Sequence, residues 1–339
     1  MESNRVTTAS LLIVVVFIIG VVLKLARPVL FPFFLAIFLS FTLYPVLDFL
    51  TRFKIPRSVA IIFIFLVTFF IIYLLGDLLY SSGKTFAAEF PKYGQKINDI
   101  FAAISERLNM SSRPVESFDL FEQLNNKIGN LILSTLGPFF SFISNLFLIL
   151  IFLVFILAGR GETEAKVFRS FKREQAETFI QIKNNIDSQV QRYLGIKTVI
   201  SFITGLLATI VLLFFGVDFA ILFGFLTFIL NYIPNIGSIF ATALPLIIAL
   251  FQFDTLWPAF WILIILGTVQ MTLGNFIEPK VMGHGLGLSP LVVLFSLFFW
   301  GWLWGLPGMI LAVPIAAIIK IVTSNIPSLK FISVLISRG

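Results

Sequence analysis

Residues 219–251 read FAILFGFLTFILNYIPNIGSIFATALPLIIALF. About 18 consecutive apolar residues already mark a helix that can cross a bilayer, and this run is nearly twice that. Inside lipid a backbone N–H or C=O has no water to bond, so only helices and closed barrels span. Leu, Ile, Val and Phe follow one another here without the period-two alternation of a barrel strand, which leaves helix. The run is interrupted once, at Asn231-Tyr232-Ile233-Pro234-Asn235-Ile236-Gly237-Ser238. Pro234 has no N–H to donate and Gly237 frees the chain direction. Two helical pieces are therefore expected, with a polar interruption that either kinks a span or turns a re-entrant hairpin.

The rest of the chain follows the same rule. Leu291–Val322 is a second long apolar run, interrupted at Gly301, Gly305, Pro307 and Gly308. Leu256–Ile277 is an ordinary span, joined to that run by the polar link Glu278–Pro290. Upstream, spans are expected at Ala9–Leu25, Val29–Leu50, Val59–Tyr80, Leu131–Ala158 and Ile196–Phe215. Pro32 and Pro45 should kink or fray the second of these. Two polar stretches separate the spans. In the first, Phe86, Phe90, Tyr93, Ile97, Ile100, Ile104 and Leu108 recur every three or four positions, the period of an amphipathic helix; a second such helix is expected around Phe118–Ile128. Between Arg160 and Lys197 there are eight Lys/Arg against five Asp/Glu, with an apolar stripe that would lie on an anionic leaflet or against a neighbouring subunit.

The expected architecture is an all-α, polytopic transmembrane bundle of about eight membrane segments. It would have two broken or re-entrant helices and amphipathic extramembrane helices. Its parts are spans 1–3 (1–80), an extramembrane amphipathic segment (81–130), span 4 (131–158), a basic cytoplasmic segment (159–195), the C-terminal membrane region (196–322) and a cytoplasmic tail (323–339). Lys and Arg gather on the cytoplasmic side; placing Arg52, Lys54, Arg57 and the Arg160–Lys197 stretch there puts both termini in the cytoplasm.

Composition narrows the chemistry. Of 339 residues, 58% are hydrophobic and 12% charged, about half the charge of a soluble domain. There is no cysteine and one histidine, His284, so thiolate chemistry and a multi-histidine metal centre within the chain are excluded. His284 is expected as a solvated loop residue. The net charge of +7 comes without a dense basic tract, which argues against nucleic acid. No glycine-rich phosphate loop ending in Gly-Lys-Ser/Thr is present, and no serine elbow lies near His284. No enzyme and no cofactor are expected.

Candidate function sits at the interruptions, since broken backbone at membrane depth is tolerated only when buried in protein or lining a water-filled cavity. Asn231, Pro234, Asn235 and Gly237 make one such place; Gly305, Pro307 and Gly308 make another. On the span between them, Gly267, Gln270, Gly274 and Glu278 share about a quarter of the helix circumference, with Asn275 at its edge. The glycines are expected to serve close packing. Glu278 is the candidate coupling carboxylate, because an acid at membrane depth serves or pairs. The simpler alternative is a local ion pair with Lys280 across a helix break at Pro279. Trp300, Trp302 and Trp304 fit an interfacial belt or a packed hairpin.

Four blocks carry a resemblance: Tyr232-Ile233-Pro234-Asn235-Ile236-Gly237, Glu278-Pro279-Lys280-Val281-Met282-Gly283, Gly287-Leu288-Ser289-Pro290-Leu291, and Trp300-Gly301 through Trp304-Gly305-Leu306-Pro307-Gly308-Met309 to Pro314. Together they resemble the signature blocks of the AI-2E transporter family of bacterial and archaeal permease-like proteins. The resemblance implies a multi-pass protein of the prokaryotic inner membrane that forms homo-oligomers. Some members of the family are linked to autoinducer-2 efflux and others to sodium/proton exchange. The expectation is a secondary exporter of a small polar, autoinducer-2-like solute, by a facilitated or H+- or Na+-coupled mechanism. Its pathway would be lined by the two interruptions and by Gln270, Gly274, Asn275, Glu278 and Lys280. A sodium/proton antiporter is the transport alternative, and a non-transporting membrane scaffold the alternative of another class.

Overall fold

The computed structural model describes residues 20–107, 146–159, 163–282 and 286–337, with positions 11, 14, 15 and 18 before them. Positions 9, 10, 12, 13, 16, 17 and 19 of the expected first span, the amphipathic helix around Phe118–Ile128, residues 131–145 of the fourth span and His284 lie outside the described residues. Among the described residues the chain is helical apart from turns and one isolated bridge, Leu288 to Ser337. The helices are α1 (Arg27–Arg52), α2 (Arg57–Arg107), α3 (Leu146–Gly159), α4 (Thr163–Ser170) and α5 (Arg173–Phe215). They continue with α6 (Ala220–Leu230), α7 (Ile236–Gln252), α8 (Leu256–Gln270), a π-helical turn at Met271–Ile277 and α9 (Glu278–Met282). Last come α10 (Pro290–Trp304), α11 (Leu306–Asn325) and α12 (Lys330–Ile336).

Among the described residues five helices are long and apolar enough to cross a membrane: Arg27–Arg52, Arg57–Thr85, Arg173–Phe215, Leu256–Met282 and Leu306–Asn325. The pair Leu146–Gly159 and Glu164–Ser170, bent by 66°, makes a sixth if counted as one span. This is an all-α polytopic membrane bundle. Its helices turn large apolar side chains outward, Phe214 at 82% and Trp257 at 65% exposure among them, a surface suited to lipid and not to water.

Two helices run well past the spans they contain. The third span and the amphipathic segment after it form one 51-residue helix, roughly 76 Å long at 1.5 Å per residue. That is more than twice the ~30 Å hydrocarbon core, so α2 continues well outside it. Between Tyr80 and Phe86 the one breaker is Gly83, and a single glycine costs a helix only about 1 kcal/mol. The basic amphipathic segment and the fifth span likewise merge into α5, of 43 residues. In α1, Pro32 and Pro45 lie inside an unbroken helix.

The chain divides into two compact units, residues 1–66, 145–195 and 282–339 in one and 67–144 and 196–281 in the other. In the second unit the interrupted run is a hairpin. α6 and α7 have 11 and 17 residues, about 17 and 26 Å, each short of the hydrocarbon core. Ala220 and Phe223 at the start of α6 pack in one cluster with Ile248 and Ala249 at the end of α7, joined by Ala208 and Leu212 of α5 and Ile262 and Leu266 of α8. Gln252 ties the open end: its amide donates to the Gly216 carbonyl at 2.7 Å and accepts from the Asp218 N–H at 2.8 Å. Gly205 of α5 and Gly224 of α6 bring those two helices into backbone contact; a Cβ on Gly205 would stand 2.7 Å from the Gly224 carbonyl oxygen, the close approach that small residues permit.

In the first unit α10 and α11 form the second hairpin. Ser296 Oγ donates to the Ala312 carbonyl across it at 2.9 Å. A Cβ on Gly308 would collide with the Trp300 carbonyl, so this interruption is closed by packing between helix backbones. Trp304 is fully buried, 5.2 Å from Phe34 and 4.7 Å from Trp300 between ring centres, whereas Trp302 is exposed under the Lys24 ammonium at 4.9 Å. The three tryptophans thus divide: one core residue, one surface residue, and Trp300 partly buried between them. Lys320 holds the following link by donating to the Leu286 and Gly287 carbonyls at 3.1 and 2.7 Å.

Candidate functional site

Within the second unit, the tip of the α6–α7 hairpin borders a cavity of about 460 Å3, inside the usual range of small-molecule sites. Three pieces of chain line it: Asn231, Ile233, Pro234, Asn235, Ser238 and Ile239 from the hairpin tip; Gln270, Met271, Gly274, Asn275 and Glu278 from the span after it; and Lys197 from α5.

The tip owes its shape to local chemistry. α6 ends at Leu230, and tight backbone bonds follow: the Tyr232 N–H to Ile229, Ile233 to Leu230, and Ile236 to Pro234. Asn235 takes φ +60°, ψ −54°, the geometry of a three-residue γ-turn, closed by the Ile236 N–H on the Pro234 carbonyl. That residue redirects the chain so that α7 starts immediately after it. Gly237 then lies against the Leu230 carbonyl so closely that no Cβ would fit. Gly237 is therefore a closing residue of the hairpin and does not line the cavity.

α5 anchors the tip from behind. Asn231 is buried and donates to Ser201 Oγ at 3.1 Å, and the Tyr232 hydroxyl donates to Thr198 Oγ1 at 2.7 Å. One turn before Ser201, the Lys197 ammonium donates to both oxygens of Glu278, at 2.6 and 2.8 Å. Lys197 exposes 4% of its side chain and Glu278 15%. At that burial the pair is held by geometry: a single carboxylate met by a single ammonium, each the other's main compensation for leaving water.

Glu278 is brought to Lys197 by an irregular helix. Met271–Ile277 is π-helical, and the Glu278 N–H bonds the Leu273 carbonyl five residues back. Pro279 supplies a cause: it cannot donate to the carbonyl four residues earlier, and its ring would strike that carbonyl in a regular helix. A wider turn ahead of it relieves both. The expected break at Pro279 is thus corrected, since the helix runs on through Met282. Such π turns are frequent at functional sites.

The expected local partner of Glu278 is corrected too. Lys280 is exposed and lines no part of the cavity; the partner is Lys197, 81 residues away. Lys197→Met and Lys280→Met should therefore separate cleanly. Lys280→Met is expected to change unfolding stability by no more than about 0.5 kcal/mol, measured by thermal unfolding in detergent micelles. A larger loss would place Lys280 in the pair after all.

Of the residues expected to act, Asn231, Pro234, Asn235, Gln270, Gly274, Asn275 and Glu278 are brought together around this one cavity. Gly305, Pro307 and Gly308 belong to the other unit. Gly267 and Gly274 do not serve close packing among the described residues, since a Cβ on either would have no heavy atom within 4 Å. Lys197 escaped notice as a site residue because it reads as the last cation of the basic stretch. The signal was its place inside the apolar run Ile196–Phe215, where an ionised lysine needs a partner. Among the described residues no cluster of metal-ligating side chains occurs.

Comparison with known proteins points the same way. The family described as AI-2E family transporter matches residues 11–328. The AI-2 transport protein TqsA of Escherichia coli K12 is 34% identical over 316 residues, 93% of this chain and 91% of that protein. A candidate transport protein of Borreliella burgdorferi is 33% identical over 331 residues, covering 97% and 90%. Another, of Haemophilus influenzae, is 34% identical over 327 residues, covering 93% and 91%.

Proposed function

Since the chain belongs to the AI-2E transporter family, we propose that it is a secondary exporter of a small polar solute, and that the cavity at the α6–α7 tip is where the solute binds. The observation that carries this reading is the cavity itself: about 460 Å3, walled by side-chain amides and one ion pair, at an interruption within an apolar run. Discontinuous helices in membranes mark binding sites because their ends present unpaired backbone groups to a solute. Autoinducer-2 is the cargo named for the relative TqsA, and the amide-rich wall suits a small polar solute. In this reading Asn231, Asn235, Gln270 and Asn275 recognise the solute, Gly274 leaves it room, and Glu278 is the coupling carboxylate, with H+ or Na+ as the coupling ion. The chain would act as a homo-oligomer in the inner membrane, both termini in the cytoplasm, as the basic loops imply.

The test is solute flux in proteoliposomes at several pH values. Glu278→Gln is expected to slow flux at least about tenfold, the loss of one charge-assisted contact, and to flatten its dependence on an imposed proton gradient. Unchanged flux with an unchanged pH response would end the assignment. The charged pair itself favours a second reading, sodium/proton exchange, which predicts that a sodium gradient moves protons in the same vesicles without any organic solute.

A further inference from the structure

The ion pair in the cavity wall is unequal. Lys197 is the more deeply buried partner, on a regular stretch of α5 whose next turn is fixed by the Ser201–Asn231 hydrogen bond. Among the described residues no second carboxylate lines the cavity. Glu278 is less buried, follows directly on the π-helical turn, and lies one turn beyond Gly274, beside which there is open space. When a buried pair separates, the cost falls on the charge left in the dry interior. Lys197 has nowhere to go. Glu278 has the cavity, whose outer wall includes the exposed Asn235 and Asn275.

The remaining lining supplies donors. Gln270, Asn235 and Asn275, which line the same cavity, carry amide N–H groups. One ammonium and several N–H groups surround a place that the protein's own carboxylate now fills.

We propose that Glu278 stands in for the anionic group of the solute: a small organic carboxylate enters the cavity, replaces Glu278 on Lys197, and releases the Glu278 side chain toward the open wall. This rests on the cavity being the solute site, and it makes the solute a small carboxylate, a class distinct from the autoinducer-2 named for TqsA. Export and site occupancy then become one exchange. Between solutes the site is closed by its own acid, so Lys197 is never left unpaired, and the ammonium selects for an anion able to displace Glu278.

The experiment is direct binding of acetate and propionate to the full-length protein in nanodiscs, read by calorimetry and by shift of the unfolding temperature. Glu278→Gln removes the internal competitor and is expected to bind acetate about ten- to a hundredfold more tightly than the unaltered chain, the span of one charge-assisted hydrogen bond. Lys197→Met and the uncharged double variant Lys197→Met/Glu278→Gln are expected to bind none. The double variant guards against misfolding, because it leaves no buried charge unpaired. Acetate affinity indifferent to all three would overturn the exchange. So would the mirror pattern, in which Lys197→Met gains affinity for sodium or methylammonium and Glu278→Gln loses it, since that assigns the site to cations. Flux separates this from the transport reading: raised acetate binding without any solute flux supports the anion site and ends the exporter, whereas solute flux with acetate binding indifferent to the variants does the reverse.

Discussion

Glu278→Ala is expected to destabilise the folded protein by about 3–5 kcal/mol, the cost of stranding one charge of a buried pair. The charge stranded is Lys197, whose side chain is 4% exposed and whose ammonium makes its two hydrogen bonds to that carboxylate. Lys197→Met strands Glu278 instead, at 15% exposure, and should cost somewhat less because water can reach the carboxylate. The double variant Lys197→Met/Glu278→Leu should recover most of the loss, since apolar replacement of a whole buried pair is often neutral or stabilising. Unfolding in micelles followed by tryptophan fluorescence gives the three differences, and the cycle isolates the pair. Single losses that merely add would show that the two side chains act separately, whatever their distance.

The second large effect is at a glycine. Gly237→Val is expected to cost at least about 1–3 kcal/mol, as overpacking does, and to open the α6–α7 tip. A Cβ there would collide with the Leu230 carbonyl and come within 3.4 Å of Ile233 Cβ. The obstacle is backbone, which cannot swing aside as a side-chain end could. Gly274→Ala is the control. Its Cβ meets nothing within 4 Å, so stability should move by no more than about 0.5 kcal/mol, while the added methyl narrows the cavity and slows flux. Equal stability losses at both positions, measured by the same unfolding assay, would show that neither the close contact nor the open space is as described.

These two glycines look alike in the sequence, and the difference between them marks where local reading stops. At 100° per residue Gln270, Gly274 and Glu278 share one face. The helix widens after Gln270, so it is the fold that turns all three to one cavity. Pro279 was legible as a disturbance, but whether a proline breaks, kinks or widens a helix depends on the neighbours that hold the two sides together. Tyr80 to Phe86 read as a boundary between elements. Propensity there was too weak to stop a helix that both flanking patterns favoured.

What the residues determined by themselves were properties of short stretches. Apolar length without period-two alternation imposed helix and membrane, because a backbone in lipid is satisfied only in a helix or a closed barrel. Proline, glycine and asparagine imposed an interruption at 231–238, because they withhold donors or admit left-handed backbone. Those are local energies, carried by adjacent residues. Only the tertiary structure decided that the interruption turns a hairpin, that α5 buttresses it through Thr198 and Ser201, and that the acid at 278 closes on the lysine at 197. A charge in a dry interior takes its partner from whichever helix packs beside it, and which helix that is depends on the packing of the whole unit.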